Sequence, residues 1–327
     1  MAGGRGRVVA VVGTGTIGRS WIRVFTRGGY ETRAWDPDSE KLHDAATWLK
    51  ADLKLARKRQ DLRKAVAKSQ RELLTLCESL EEVVDGVSYV QECGPEDLAV
   101  KRGIFCALDQ AAGEGTILAS SSATIGLEAL TNGLSCRPYC IIAHPLNAPH
   151  VVPVVEVFAD SDTDTAVIRR TFRFLRRVGL IPVAVRHHQP GLIASRLEAA
   201  LIREAIDLVR TGTADLAAIE TVMTDGLGLC WSLQGPVGTV SLKADGGVRE
   251  HLARYASIYE GIWDDLTTDL RLTPELIDQV AQALDPLPTG VTPEDHRAWR
   301  DDLVDRVRRT KAAHPLEGDG FDENEVR

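Results

Sequence analysis

What the sequence lacks narrows its function before any motif is considered. No apolar run approaches the roughly 18 residues that a helix needs to cross a bilayer, and Met1 to Arg7 is a Gly/Arg stretch without the apolar centre of a secretory leader. A cytoplasmic protein is expected. A basic face is missing as well: net charge is −8 and the pI is near 5.6, so neither nucleic acid nor a membrane surface is an expected partner. The six cysteines, Cys77, Cys93, Cys106, Cys136, Cys140 and Cys230, form no C-x-x-C pair and have no histidine at ligand spacing. Reduced thiols packed as small hydrophobes are expected, with no metal site. His187-His188 is read as a polar connection before Pro190, and no internal repeat or low-complexity segment is present.

What is there suits small-molecule chemistry. With 327 residues and 44% hydrophobic content, the chain can bury a sizeable core and is long enough for two domains. Short β-branched runs alternate with helical patterns up to about residue 185, as a parallel sheet covered by helices requires. The expected strands are Val8 to Val12, Glu31 to Trp35, Val87 to Gln91, Thr116 to Ala119, Tyr139 to Ala143, Val154 to Phe158 and Ile181 to Val185. Residues 39–69, charged, alanine-rich and nearly free of Gly and Pro, predict a long helix or helical pair standing off the sheet. From Gln189-Pro190-Gly191 onward the pattern is helical, with turns at Gly212, Gly235-Pro236 and Leu287 to Gly290. The expected architecture is α/β: a Rossmann-type doubly wound sheet domain over 1–188, then an all-α domain over 189–315, then a flexible acidic tail over 316–327.

Gly13-Thr14-Gly15-Thr16-Ile17-Gly18 follows the apolar run Val8 to Val12 and opens an amphipathic stretch carrying Trp21, Val24 and Phe25. A G-x-G-x-x-G between strand and helix is a dinucleotide-binding arrangement. Gly13 allows the tight turn, Gly15 lets backbone amides approach a pyrophosphate, and Gly18 lets helix and strand pack closely. Thr16 and Ile17 open the helix whose N-terminus faces the phosphate charge. Asp36, 23 residues after Gly13, can accept hydrogen bonds from the adenosine ribose and would repel a 2′-phosphate, so NAD(H) is the expected cofactor over NADP. Arg33, three residues earlier, is the one feature that points the other way.

The acid–base candidates lie further on. Ala143-His144-Pro145-Leu146-Asn147-Ala148-Pro149 follows an apolar strand, and Pro153-Val154-Val155-Glu156-Val157 returns as another, which places Glu156 among residues expected to be buried. A buried glutamate can orient an imidazole and stabilise its protonated form. His144 can then take a proton from a substrate hydroxyl as hydride leaves, or return it during ketone reduction.

His144-Pro145-Leu146-Asn147-Ala148-Pro149, an H-P-x-N-x-P run, with a glutamate twelve residues after the histidine resembles the 3-hydroxyacyl-CoA dehydrogenase superfamily, in particular its lambda-crystallin and L-gulonate 3-dehydrogenase branch. The resemblance runs from about Arg7 to Lys311. It includes Gln91 to Leu98 with Lys101, Glu204-Ala205, Met223 to Gly228, Gly235-Pro236 and Trp299-Arg300-Asp301. It implies an NAD-dependent dehydrogenase in which His144 and Glu156 form the dyad, Asn147 supports the site, and Glu96 and Lys101 lie near the nicotinamide ribose. It also implies a homodimer through the C-terminal helices, where apolar stripes run through Leu197, Ala200, Leu201, Ile206 and Leu208.

Three departures from the family pattern bear on substrate. A serine that meets the substrate oxygen aligns with Ala123, leaving Ser122 or Thr124 to replace it. An asparagine in G-F-x-x-N-R becomes Ser195 in Gly191-Leu192-Ile193-Ala194-Ser195-Arg196. An arginine in G-M-R, suited to a bidentate pair with a carboxylate, becomes Cys230 ahead of Trp231. Unless Arg196 or Lys243 supplies that charge, the substrate lacks the acid group or presents a larger apolar body. The expected function is interconversion of a 3-hydroxy acid, L-gulonate being nearest by resemblance, and its 3-keto form. A ketoreductase for a bulkier β-keto, polyketide-type intermediate and a non-catalytic, crystallin-like cofactor-binding protein are the alternatives.

Overall fold

In the computed structural model of the protein, residues 8–59, 61–284 and 290–314 are described. They fall into two compact units that meet in the chain at Ser195 and Arg196. The first holds β1 (Val8–Val12), α1 (Thr16–Arg27), β2 (Glu31–Trp35), α2 (Ser39–Lys58), α3 (Lys64–Glu72), β3 (Leu74–Leu76), α4 (Leu80–Val84), β4 (Tyr89–Glu92), α5 (Leu98–Ala111), β5 (Ile117–Ser120) and α6 (Leu127–Thr131). It continues with β6 (Cys140–Pro145), β7 (Val154–Phe158), α7 (Thr165–Arg177) and β8 (Ile181–Val185), and ends in the first residues of α8 (Ala194–Arg210).

The strands form one eight-stranded sheet in the order β3-β2-β1-β4-β5-β6-β7-β8. All neighbours are parallel except β6 and β7. The central strand shows why the sequence folds this way. β1 is apolar at every position because helices cover both its faces: Val9 and Val11 enter one buried cluster, Ala10 and Val12 the other. From β1 the chain leaves toward β2 and β3, then returns past β1 to β4. The crevice beyond the carboxyl ends of β1 and β4 is therefore the switch point where open α/β sheets bind ligands.

Three local expectations change. Residues 39–69 do form a helical pair, but α2 does not stand clear of the sheet: Leu42, Ala45, Leu49 and Leu53 recur at helical spacing and pack into the first cluster. β3 was not expected, since Leu74-Thr75-Leu76 is too short to show a period; its pairing with Thr32 to Ala34 makes it a strand. The first unit also extends past residue 188, because Gly191 N–H donates to the Ala123 carbonyl and the next residues bond to β7.

The second unit is helical: the rest of α8, α9 (Leu216–Thr221), α10 (Gly228–Trp231), α11 (Pro236–Ser241), α12 (Gly247–Asp265), α13 (Pro274–Ala283) and α14 (Pro293–Ala313). A widened π turn, Val222–Leu227, joins α9 to α10. Gly228 suits that turn because a Cβ there would meet the Met223 carbonyl oxygen at 2.5 Å. The expected tail over 316–327 and the start, Met1 to Arg7, lie outside the described residues, as do 285–289 within the expected turn before Gly290.

Candidate active site

The glycine loop is built as its spacing predicts. Gly13 sits at φ +89°, and a Cβ on it would come within 2.8 Å of the Cys93 backbone. A Cβ on Gly18 would lie 1.9 Å from the Gly13 carbonyl oxygen, so α1 touches the loop backbone directly. Around Gly15 nothing approaches such a Cβ within 4 Å, and no side chain caps α1. Open space above a glycine, facing helix N–H groups at Thr16 and Ile17 that lack an intrahelical partner, fits a pyrophosphate.

Asp36 lies just beyond β2, where one carboxylate oxygen accepts from the Thr14 N–H at 2.7 Å and the Thr14 hydroxyl at 3.2 Å. Its other oxygen accepts the Asp38 N–H at 3.0 Å. Thr14, a nominally free position in the motif, is thus what holds the Asp36 carboxylate. Arg33 does not turn toward Asp36; its guanidinium donates to the Glu82 and Asp85 carbonyls at the end of α4. The counter-indication for NAD(H) is removed by tertiary packing.

Beside this loop lies a buried charged cluster. Lys101, 1% exposed, donates to both Glu92 oxygens at 3.0 Å and to the Gly94 carbonyl at 3.1 Å. Glu92, fully buried, also accepts from the Ser120 hydroxyl at 2.6 Å and the Gly94 N–H at 2.6 Å. An ammonium has three donors and all three are used. Lys101, expected near the nicotinamide ribose, is the counter-ion of Glu92 and a staple for the Cys93-Gly94 turn against Gly13. Sequence reasoning overlooked Glu92, although a glutamate inside the strand Tyr89 to Glu92 is the same oddity that drew attention to Glu156.

Glu96 is organised differently. Its Oε1 accepts from the Ser122 hydroxyl (2.7 Å), the Ala123 N–H (3.1 Å), the Thr124 N–H (2.9 Å) and the Thr124 hydroxyl (2.7 Å). Its Oε2 lies 3.7 Å from Lys101 Nζ. Partial burial alone would raise its pKa, but the donors on Ser122 and Thr124, with the Lys101 charge, outweigh it and hold the carboxyl below the usual glutamate range. Ser122, expected at the substrate oxygen in place of Ala123, is buried with its proton committed to Glu96 and its oxygen accepting the Ile125 N–H. Thr124 is exposed, but its hydroxyl also donates to Glu96. Neighbouring Cys93 is no nucleophile, since burial pushes its thiol up to about 12.

His144 and Glu156 meet because the β6–β7 register sets them directly opposite one another. His144 Nδ1 lies 2.9 Å from Glu156 Oε2, and Glu156 is 2% exposed. An ionised carboxylate only accepts, so in that contact Nδ1 is the donor and Nε2 is the ring nitrogen able to accept. Glu156 Oε1 accepts the Ile193 and Ala194 N–H groups at 2.8 and 2.9 Å. Behind the histidine, buried Gln91 donates to Ser121 Oγ and, across Ala119, to the Ala143 carbonyl. Asn147 takes a left-handed conformation at φ +57°, and its side chain accepts the Ala148 N–H. Ser195 is half-buried in the first turn of α8, one residue past Ala194. Arg196, exposed Cys230 and half-buried Trp231 belong to the second unit. Among the described residues no group of three or more His, Cys, Asp or Glu side chains could hold a metal, and no helix is long and apolar enough to cross a membrane.

The chain matches known proteins over most of its length. Residues 8–188 match the 3-hydroxyacyl-CoA dehydrogenase NAD binding domain and residues 191–261 the C-terminal domain of the same enzymes. The chain belongs to the 3-hydroxyacyl-CoA dehydrogenase family. This family member is 35% identical over 314 residues to a lambda-crystallin homolog of Bos taurus, covering 94% of this chain and 96% of that protein. It is 32% identical over 319 residues to an L-carnitine dehydrogenase of Streptomyces coelicolor, covering 95% and 97%. A solved structure of an NAD+-dependent 5-formyl-3-hydroxy-2-methylpyridine 4-carboxylic acid 5-dehydrogenase superposes with a TM-score of 0.80 at 24% identity, covering 95% of this chain and 100% of that one. That likeness shows the fold. Like its family, the protein is an NAD(H)-dependent oxidoreductase.

Proposed function

We propose that this dehydrogenase interconverts a 3-hydroxy acid, or a related 3-hydroxycarbonyl compound, and its 3-keto form, with His144 and Glu156 as the acid–base dyad. The 2.9 Å contact between His144 Nδ1 and a buried carboxylate carries the assignment. Bound NAD(H) would exchange a hydride with the carbinol carbon. Held by Glu156, His144 offers Nε2 to the substrate hydroxyl, accepts its proton in oxidation and returns it in reduction, while the carboxylate stabilises the imidazolium. Gly15, Thr16 and Ile17 would seat the pyrophosphate and Asp36 the adenosine ribose. Glu96 Oε2, with four donors crowding the other oxygen, is placed to accept from the nicotinamide ribose. Ser122 acts by fixing Glu96, and Asn147 by shaping the loop after His144.

L-carnitine and L-gulonate are both 3-hydroxy acids, and this class is the first choice of substrate. A bulkier β-keto compound is the second reading, favoured by an exposed thiol at Cys230 with Trp231 beside it. A homodimer through the helical unit is supported by the exposure of Leu197, Leu201 and Ile202 on α8, which buries none of its residues. A panel of hydroxy acids and β-keto compounds, followed by NAD reduction or NADH oxidation, tests the function. His144→Ala should lower turnover on the accepted substrate by at least about 100-fold and leave NADH affinity nearly intact. Wild-type rates in that variant would sink the dyad. Cofactor binding without turnover anywhere on the panel would favour a crystallin-like, non-catalytic role.

A further inference from the structure

We infer that the N-terminus of α8 is a working part of the acid–base pair: the Ile193 and Ala194 N–H groups are positioning groups that hold Glu156 with its other oxygen on His144. The proposal rests on His144 and Glu156 being the dyad. A helix begins with N–H groups that have no partner inside it, and several helices here satisfy them from a nearby side chain. Asp38 caps α2, Asp97 caps α5, Asp164 caps α7, Thr273 caps α13 and Thr292 caps α14. The residues ahead of α8, Gly191-Leu192-Ile193, offer no oxygen side chain. In place of a local cap, Glu156 reaches from β7, 37 and 38 residues away in sequence, and accepts both N–H groups on Oε1.

The backbone is bent to allow this. Gly191 lies at φ +85° and Leu192 at φ +48°, and consecutive left-handed residues turn the chain sharply into the helix. A leucine disfavours that conformation, yet Leu192 keeps it at 3% exposure, seated in the cluster that contains Leu127, Leu130 and Phe158. Gly191 N–H donates to the Ala123 carbonyl and Leu192 N–H to the Gln189 carbonyl, so both sides of the bend are tied down. Core packing thus maintains a strained turn whose product is a pair of convergent N–H groups on a catalytic carboxylate.

The chemical consequence is a division of labour between the two carboxylate oxygens. Oε1 is fixed by backbone and by the positive end of the helix dipole, which favours a negative group at this position. With Oε1 pinned, the carboxylate cannot rotate, and Oε2 remains aimed at Nδ1. The imidazole is then kept in the tautomer that leaves Nε2 free for substrate. A merely buried glutamate would lack that constraint.

Two measurements decide the matter in the intact protein. In Glu156→Ala, the Ile193 and Ala194 amides should exchange with solvent at least about tenfold faster than in wild type, as expected for losing a charge-assisted partner; unchanged protection would overturn the proposal. Ala194→Pro removes one donor at the first helical position, where proline is tolerated. It should convert His144 from a single Nδ1-protonated tautomer, read from ring 15N shifts, to a mixture. It should also lower kcat about tenfold without changing NADH affinity. An unaltered tautomer would refute the positioning role even if kcat fell. Full activity in His144→Ala would remove the dyad assignment alone, leaving the exchange result to stand for a structural cap.

Discussion

Lys101→Met isolates the structural account of the buried charges from a cofactor-binding one. Its methylenes are retained in bulk while the ammonium, with its bonds to both Glu92 oxygens at 3.0 Å and to the Gly94 carbonyl at 3.1 Å, is lost. Glu92 would then be a fully buried carboxylate facing only the Ser120 hydroxyl and the Gly94 N–H. Breaking a buried pair by removing one partner costs about 3–5 kcal/mol. At roughly 2–4 °C per kcal/mol for a unit of this size, the melting temperature should drop by about 10 °C. Adding Glu92→Gln removes the stranded charge and leaves a side chain that still accepts from Ser120, so the double variant should recover most of the loss. Thermal unfolding of the two single variants and the double variant gives the coupling energy, and fluorescence titration gives NADH affinity. A cost under about 1 kcal/mol in Lys101→Met, or no recovery in the double variant, would refute the buried-pair account. NADH affinity that stayed fully lost in a restored double variant would return Lys101 to the cofactor.

Gly15→Ala should leave unfolding within about 0.5 kcal/mol of wild type, because its Cβ meets nothing within 4 Å, while weakening NADH at least about tenfold by occupying the pyrophosphate approach. Gly18→Ala should impair both, since its Cβ would lie 1.9 Å from a carbonyl oxygen; equal effects of the two substitutions on stability would contradict the loop geometry. Glu96 has a lowered folded-state pKa, so the stability it contributes is present above the ordinary glutamate pKa and is lost as pH falls through the depressed value. Acid titration of stability should show that component in wild type and not in Glu96→Gln. Cys230→Arg should raise kcat/KM for free hydroxy acids relative to uncharged β-keto esters; no change, or a fall, would count against a carboxylate at that position.

The glycine loop and the His144–Glu156 contact were legible because each depends on spacing within one or two adjacent elements. Gly13, Gly15 and Gly18 serve a single strand-loop-helix turn. His144 and Glu156 stand on neighbouring antiparallel strands, so twelve residues of sequence become one cross-strand pair. Short β-branched runs and helical patterns likewise disclosed seven of the eight strands and the helical second half. Cofactor chemistry followed from those local rules, since a phosphate-binding turn has few alternative sequences.

Partner choice among buried polar groups was decided only by the tertiary structure. Arg33 could have faced Asp36, but α4 packs where its carbonyls claim the guanidinium. Only the approach of α5 to β4 sets the Lys101 ammonium on Glu92. Ser122 and Thr124 are both hydroxyls one residue from Ala123, and the position of Glu96 decides that both donate to it. The cap of α8 lies on β7, beyond the reach of any local motif. The sequence by itself carried the resemblance to the family, the glycine loop and the spacing that pairs His144 with Glu156, because motif spacing is a property of contiguous chain. Which of those residues remain free to touch a ligand was settled by packing, because a buried donor or charge must find a partner and folding determines which partner is within reach.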